Sequence, residues 1–466
     1  MKPRLSYLLS LLLGAIILLS CSENKEESGK LAAADSLLLY KDYNPGPTDL
    51  IIDRTVYLDK LQGFWLGACI ANWTGLITEM DKIGGDGIDG LGAGFYTRSN
   101  WGGKDEPNIW PQSNLDSLSP TIDFYFEGPG DVWGADDDTD IEYMYQYITY
   151  YNKVTKLSPE QIRNGWLTHI YSDENSPFVN ETGGSENYLW VSNQTAFDLM
   201  KQGMLPPATS DPQNNPNFEM IDAQLTTEIF GFLAPGNPAA AVELAHLPIR
   251  TTARKDAAWI AEFYVVMYSL APVIDSTKPL KNQLFSMADR ASEQLPPDSY
   301  ASKMYSYVKE LYDAGIPWEA ARDSLYERYQ VKNADGYTLP AREPVCHGCF
   351  GAGINFGASL ISLFYGEGDI KETIKIGTLA GWDSDNPTAT WGGLLGFIYG
   401  KKGLESVFEQ NFSNQFNIHR TRGNFKNGID TFENMAQMGV FIVDRVVQEE
   451  LDGGVDLEKN CWYIPI

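Results

Sequence analysis

The 466-residue chain carries 35 Lys and Arg against 62 Asp and Glu, a formal net charge of −27. A chain this acidic offers no field that draws in nucleic acid or an anionic lipid surface. With 43% hydrophobic and 12% aromatic residues it is no disordered chain either, and its length suits one large domain or two to three ordinary ones.

Met1 to Ser20 reads as a secretory signal. Lys2 and Arg4 form a basic start, and Leu8 to Leu19 an apolar stretch too short to span a bilayer comfortably. Leu18-Leu19-Ser20-Cys21 then resembles the lipobox of bacterial lipoproteins, which implies a lipidated Cys21 as the only membrane contact. Ser22 rather than Asp follows the cysteine, which fits an outer-membrane lipoprotein of the cell envelope, on its periplasmic or surface face. Residues 21–45 are expected to be a flexible tether, with the run Ser22 to Ala34 polar and charged, and residues 46–466 a single helical domain.

Helical spacing of apolar residues begins at about residue 54, with Leu58, Leu61, Trp65, Leu66 and Cys69 on one stripe. Asp81 to Gly130 is rich in Gly, Trp and Asn and predicts an irregular ordered excursion. Its rings Phe95, Tyr96, Trp101 and Trp110 suit either a sugar-stacking wall or packing of the loop onto the core. Helices are predicted over Asp140 to Tyr151, from Ser158-Pro159 onward, over Thr226 to Phe232, Ala239 to Leu247 and Lys255 to Leu270, and as amphipathic pieces through 279–330. Phe350 to Tyr365 and Pro387 to Tyr399 are Gly- and Ala-containing helices suited to close packing. Period-2 runs are few and no strand–helix–strand alternation is present, so the fold class is all-α.

Four cysteines remain beyond Cys21. Cys346-His347-Gly348-Cys349 has half the spacing of a structural zinc site and no second half in a chain with only four histidines. Buried thiols or a small disulfide are the expectation there.

Two acidic runs stand out. Trp133-Gly134-Ala135-Asp136-Asp137-Asp138-Thr139-Asp140 places four carboxylates within five residues at a helix start, where the helix dipole favours one or two. Gly381-Trp382-Asp383-Ser384-Asp385-Asn386-Pro387 places Asp383 and Asp385 on one side of an extended segment, with Asn386 as the expected cap of the next helix. Hard divalent cations take several such oxygens at close range, and both runs lie where a helix end holds them rigidly. A shared cation site is therefore predicted.

These residues resemble the motifs of the ADP-ribosylglycohydrolases, the family that includes dinitrogenase-reductase-activating glycohydrolase. A Gly-rich helix ending Gly-Asp-Ala-x-Gly-x-x-x-Glu is matched by the stretch from Ala71 to Glu79. Thr-Asp-Asp-Thr is matched by Asp136-Asp137-Asp138-Thr139. Gly-Gly-Asp-Thr-Asp-Thr, followed by a Gly/Ala helix, is matched by Gly381 to Asn386. A looser fourth match covers Thr227 to Gly231 and Ala234 to Ala239. The resemblance implies an all-α fold with one or two divalent cations, usually magnesium or manganese. Their ligands would be Asp136, Asp137, Asp138, Asp383 and Asp385, with Asn386 in the place of a ligand Thr.

The pattern departs at Asn72, which replaces an Asp, and at Asp136 and Asn386, which each replace a Thr; a site so altered also suits calcium, or one metal in place of two. Glu79 is the expected general base, and Asp137 or Asp138 orients the water. Trp133 and Trp382, which precede the acidic runs, and Asn72 are expected to meet the substrate.

The implied activity is metal-dependent hydrolysis of a glycosidic bond to a diol-bearing sugar. A location outside the cytoplasm argues for a glycan or ribosyl-type glycoside as substrate. The alternatives are a non-catalytic, metal-dependent glycan-binding lipoprotein, and removal of ADP-ribose from modified proteins.

Overall fold

The computed structural model describes residues 32–110, 118–180 and 183–465. The signal segment and Cys21 lie outside the described residues. Among those described, no helix is long and apolar enough to cross a membrane.

Fifteen α-helices dominate the described residues. A strand, β1 (Leu50–Asp53), leads into the long α1 (Arg54–Gly75). After the irregular excursion come β2 (Trp133–Gly134), α2 (Asp137–Asn152), α3 (Pro159–His169) and α4 (Val191–Lys201). The short α5 (Ile229–Leu233) precedes α6 (Pro238–Thr252) and the almost wholly buried α7 (Lys255–Leu270). The outer helices are α8 (Leu280–Ser292), α9 (Tyr300–Asp313), α10 (Trp318–Tyr326) and α11 (Leu339–Arg342). The chain then returns to the centre with α12 (Ala352–Gly366), α13 (Ile370–Ala380) and α14 (Asp385–Phe408). It closes with β3 (Gln415–Asn417), β4 (Ile429–Thr431), α15 (Phe432–Glu449), β5 (Gly454–Asp456) and β6 (Cys461–Ile464).

The axis of the molecule is the pair α1 and α14, which cross so closely that side chains are excluded from the contact. A Cβ on Gly392 would lie 2.6 Å from the Gly67 carbonyl oxygen, so glycine is required for the helices to meet. This contact positions the site, because the C-terminal end of α1 thereby lies against the first turn of α14.

The predicted all-α class holds for the bulk of the chain, but two small sheets accompany the helices. β1, β6 and β5 form an antiparallel sheet, with Leu50 opposite Ile464 and Asp53 opposite Cys461. β2 pairs in parallel with β3, and β3 antiparallel with β4. These strands have two to four residues, too short for a period-2 pattern to register.

Ala32, inside the segment expected as tether, is buried. The Arg54 guanidinium donates to the Ala32 and Ala33 carbonyls and makes a bidentate, fully buried ion pair with Asp444, at 2.9 and 2.6 Å. Tyr40 and Trp462 donate to the same carboxylate. From Ala32 onward the tether segment thus lies against the helical body.

Within the excursion, Phe95 packs edge-on to Trp382, Tyr96 is buried with its hydroxyl on Asp81, and Trp101 meets Phe124. Trp110 alone of the four named rings is exposed, at 38%, and it stacks on Phe350. Cys346 and Cys349 form a disulfide, which leaves no thiolate pair there for zinc, and Cys69 and Cys461 are buried thiols.

Candidate metal centre

Three segments carry the acids. At the end of α1 the chain tightens into a 3₁₀ turn, Leu76–Thr78, which delivers Glu79. The turn is tied to the start of α14: Ser384 Oγ donates to the Gly75 carbonyl at 2.8 Å, and Thr78 Oγ1 and Ser384 Oγ are 3.0 Å apart. Gly75 has no room for a side chain, since a Cβ there would be 2.5 Å from Asp385 Cα. Glycine at this turn therefore has a local cause: it lets Glu79 sit beside Asp385.

The second segment opens α2. Asp136 is its N-cap in extended backbone, and Thr139 Oγ1 accepts the Asp136 N–H at 3.0 Å, which fixes the turn. Asp137 and Asp138 follow in the first turn, where the free N–H groups favour negative charge.

The third segment is not extended as predicted. Trp382 has a left-handed backbone (φ 58°), an uncommon state for a bulky residue. Two backbone hydrogen bonds hold it, Trp382 N to Lys82 O at 2.7 Å and Met80 N to Trp382 O at 2.8 Å. Helix α14 then starts with Ser384, not Asn386, as its N-cap. The sharp turn, rather than alternation along a strand, directs Asp383 and Asp385 to one place.

The carboxylates converge in two overlapping groups. Oxygens of Glu79, Asp383 and Asp385 lie within 4.8 Å of one another, as do oxygens of Asp136, Asp137 and Asp385. Asp385 belongs to both, the geometry of two adjacent cation positions with a shared carboxylate. Asp385 Oδ1 and Asn72 Oδ1 are buried with no hydrogen-bond partner, an arrangement that lacks a cation's or a donor's positive charge.

Burial, first, and then the neighbouring carboxylates push Glu79, Asp137, Asp138 and Asp383 well above the ordinary carboxylate range. Asp385 is pushed up to about 7 by burial and by Asp136. A divalent cation relieves both causes at once, so the residues present fit one or two such ions.

The expected site residues divide by position. Glu79, Asp136, Asp137, Asp383 and Asp385 come together. Asp138 is in side-chain contact with Asp385 and accepts the Asn386 amide at 3.0 Å. Asn386 is not placed as a ligand: its oxygen accepts from Gln224 Nε2 at 3.1 Å, so it orients Asp138 instead. Asn72 is fully buried and donates to Asp136 at 3.1 Å, facing the centre and not the solvent. Trp133 and Trp382 are 0% exposed, so neither meets a substrate. Their indole N–H groups are used inside the protein, on the Ser413 carbonyl and on Gln330 Oε1. Asp140, the fourth acid of its run, faces away and pairs with Arg422, buried like itself.

Other contributors carry no motif. Arg420 reaches back from the 3₁₀ turn after β3, bonds Asp136 Oδ1 at 3.1 Å and lies over the Trp73 ring. Glu142, one turn below Asp138 on α2, shares a hydrogen bond with Glu228 of the looser fourth match. Both acids are raised by burial, Glu228 to about 7, and Thr390 of α14 donates to Glu228. Gln224, Arg420 and Glu142 are single polar residues in unremarkable surroundings, and only the tertiary fold brings them to the centre.

Comparison with known proteins places these features in a family context. The sequence model of the ADP-ribosylglycohydrolase family matches residues 53–430, which includes every acid of the centre. A solved structure described as an ADP-ribosylglycohydrolase-related protein complex aligns with 83% of this chain and 98% of its own, at 13% identity and a TM-score of 0.45. No curated protein matches the chain.

Proposed function

The chain belongs to the ADP-ribosylglycohydrolase family of glycosyl hydrolases, and from that premise we propose a metal-dependent hydrolase that cleaves a glycosidic bond to a diol-bearing sugar, in a glycan or ribosyl-type glycoside outside the cytoplasm. The observation that carries this reading is the pair of carboxylate groups sharing Asp385. Asp136, Asp137, Asp383 and Asp385 would hold one or two divalent cations, which would supply Lewis acidity for a sugar diol and for water. Magnesium or manganese is the family's usual choice, and the all-oxygen ligand set also suits calcium.

The protein's own groups do the rest. Glu79 is held at the edge of the centre by the α1–α14 contact and takes the proton of the attacking water on its carboxylate. Asp138, locked by Asn386, orients that water. The concentrated negative charge favours the oxocarbenium-like transition state of glycoside cleavage. A stacked pair of rings flanks the site: Ile109, next to Trp110, donates to the Met80 carbonyl beside Glu79, and Trp110 lies parallel to Phe350. Trp110 is exposed, Phe350 is half-buried beneath it, and the free face of the Trp110 indole suits the apolar face of a pyranose, which supports a glycan substrate.

Anchoring at a lipidated Cys21 would put this site at the envelope. The expectation is that metabolic labelling with a radioactive fatty acid marks the wild-type chain and not Cys21→Ala. For the reaction, a panel of glycans and ADP-ribosylated peptides with added magnesium or manganese is expected to yield a free sugar. Release of ADP-ribose alone would assign the narrower family reaction instead. Cation-dependent binding with no product from any substrate would favour a glycan-binding role.

A further inference from the structure

We infer that the loop closed by the Cys346–Cys349 disulfide is a positioning element of the candidate metal centre, acting on Asp383 through Asn355 and Gln330. The inference rests on the metal reading above for its consequence, and on geometry alone for the coupling.

The loop is built around one acceptor. The Glu343 carboxylate gathers the backbone N–H groups of Val345 and Gly348, at 3.1 Å each, while His347 and Gly348 take left-handed backbone. The disulfide joins the two ends of this four-residue turn and is buried. Two relays leave it. The Cys349 carbonyl accepts Asn355 Nδ2 at 2.8 Å, and Asn355 Oδ1 accepts the Asp383 N–H at 3.3 Å. The His347 carbonyl accepts Gln330 Nε2 at 2.9 Å, and Gln330 Oε1 accepts Trp382 Nε1 at 2.7 Å.

Both relays end on consecutive residues, one of them the left-handed Trp382. A bulky residue in that conformation persists only where its surroundings over-determine it. Here the constraint is fourfold: two backbone bonds to the Met80–Lys82 strand of chain, the indole on Gln330, and the following amide on Asn355. Asn355 and Gln330 offer both a donor and an acceptor, so each passes the position of a loop carbonyl to the metal-bearing turn. With the turn opened, the His347 and Cys349 carbonyls are free to move, and the two restraints on Trp382–Asp383 weaken, Asn355 keeping a second acceptor in the Gly351 carbonyl at 3.0 Å.

The test uses the whole protein, with Cys346→Ala/Cys349→Ala and, separately, Gln330→Leu, which leaves the disulfide intact. Amide hydrogen exchange of the 380–385 segment, measured in EDTA, reads the coupling without any metal. Titration with manganese alone reads its consequence. Both variants are expected to exchange faster in that segment and to bind manganese about tenfold or more weakly, the range for groups that orient a ligand. Combined, the three substitutions should weaken binding by less than the product of the separate effects, because both act through one turn. Unchanged exchange at 380–385 in both variants overturns the inference, whatever the melting temperature does. Unchanged manganese affinity beside faster exchange also overturns it as a device of the metal centre. A wild-type chain that binds no manganese or other divalent cation removes the metal reading itself, while the exchange result still decides the coupling.

Discussion

At the scale of single residues, Asn72 and Asp136 form a coupled pair, hydrogen-bonded at 3.1 Å. The pair carries one negative charge, on Asp136, and Arg420 meets it there. Asn72→Asp alone would put two carboxylates in contact, and Asp136→Thr alone would leave Arg420 with the Ala135 carbonyl but no carboxylate. Each is expected to lower the melting temperature in EDTA, whereas the double variant recovers part of the loss. The coupling expected from a double-mutant cycle is about 0.5–3 kcal/mol; strictly additive effects would refute the coupling of the pair. Asn386→Ala is expected to weaken divalent-cation binding by about 10–100-fold by releasing Asp138. A calorimetric titration checks this, and an effect as large as that of Asp385→Asn would make Asn386 a direct ligand after all.

At the scale of elements, the centre depends on how closely α1 and α14 approach. Gly392→Ala forces a Cβ to 2.6 Å from the Gly67 carbonyl oxygen. The helices must part to admit it, which for overpacking of this kind costs about 1–3 kcal/mol. Because Glu79 follows α1 and Asp385 starts α14, loss of cation affinity is expected along with the loss of stability. Chemical denaturation and cation titration of one sample would separate the two, and a destabilised variant of full affinity would show that the site tolerates the parting.

These same elements mark what the amino-acid sequence made legible. The Gly/Ala helices and both acidic runs were readable because glycine at helical spacing and clustered carboxylates are local signals. The left-handed Trp382, the early start of α14 at Ser384 and the burial of Trp133 and Trp382 were not. Each is decided by partners distant in the chain, namely Lys82, Gly75, Gln330 and Ser413. The tryptophans beside the acids suggested a sugar platform, but a ring so close to a buried turn serves to fill the core around it. The exposed ring, Trp110, lay in a loop whose spacing carries no information on which ring faces out.

At the scale of the molecule, the net charge of −27 includes a small set of acids that behave unlike the rest. Without a cation, Asp385 holds its proton up to a pH of about 7, and Glu79, Asp137, Asp138 and Asp383 are also raised. In the unfolded chain the same carboxyls ionise at about pH 4. From about pH 4 to 7 and above, the folded state therefore binds more protons than the unfolded one, and these groups make stability fall as pH rises. A cation needs them ionised, so its affinity moves the other way and rises with pH through the same window. Melting curves in EDTA are expected to drop between pH 5 and 7.5, and added magnesium or manganese to stabilise most at the upper end. At a hundred times its dissociation constant the cation contributes about 2.7 kcal/mol. A cation effect that does not vary with pH would contradict this assignment of the protons.

The most direct test of the central claim, that Asp385 joins two acid groups into a cation centre for glycoside hydrolysis, is product release from the glycan and ADP-ribosyl panel by wild type and Asp385→Asn, each in EDTA and after cation is restored. Wild type is expected to turn over with magnesium or manganese, to stop in EDTA and to recover when the ion is returned, and Asp385→Asn to release nothing under any condition. Hydrolysis that persists in EDTA, or full activity in Asp385→Asn, would contradict it.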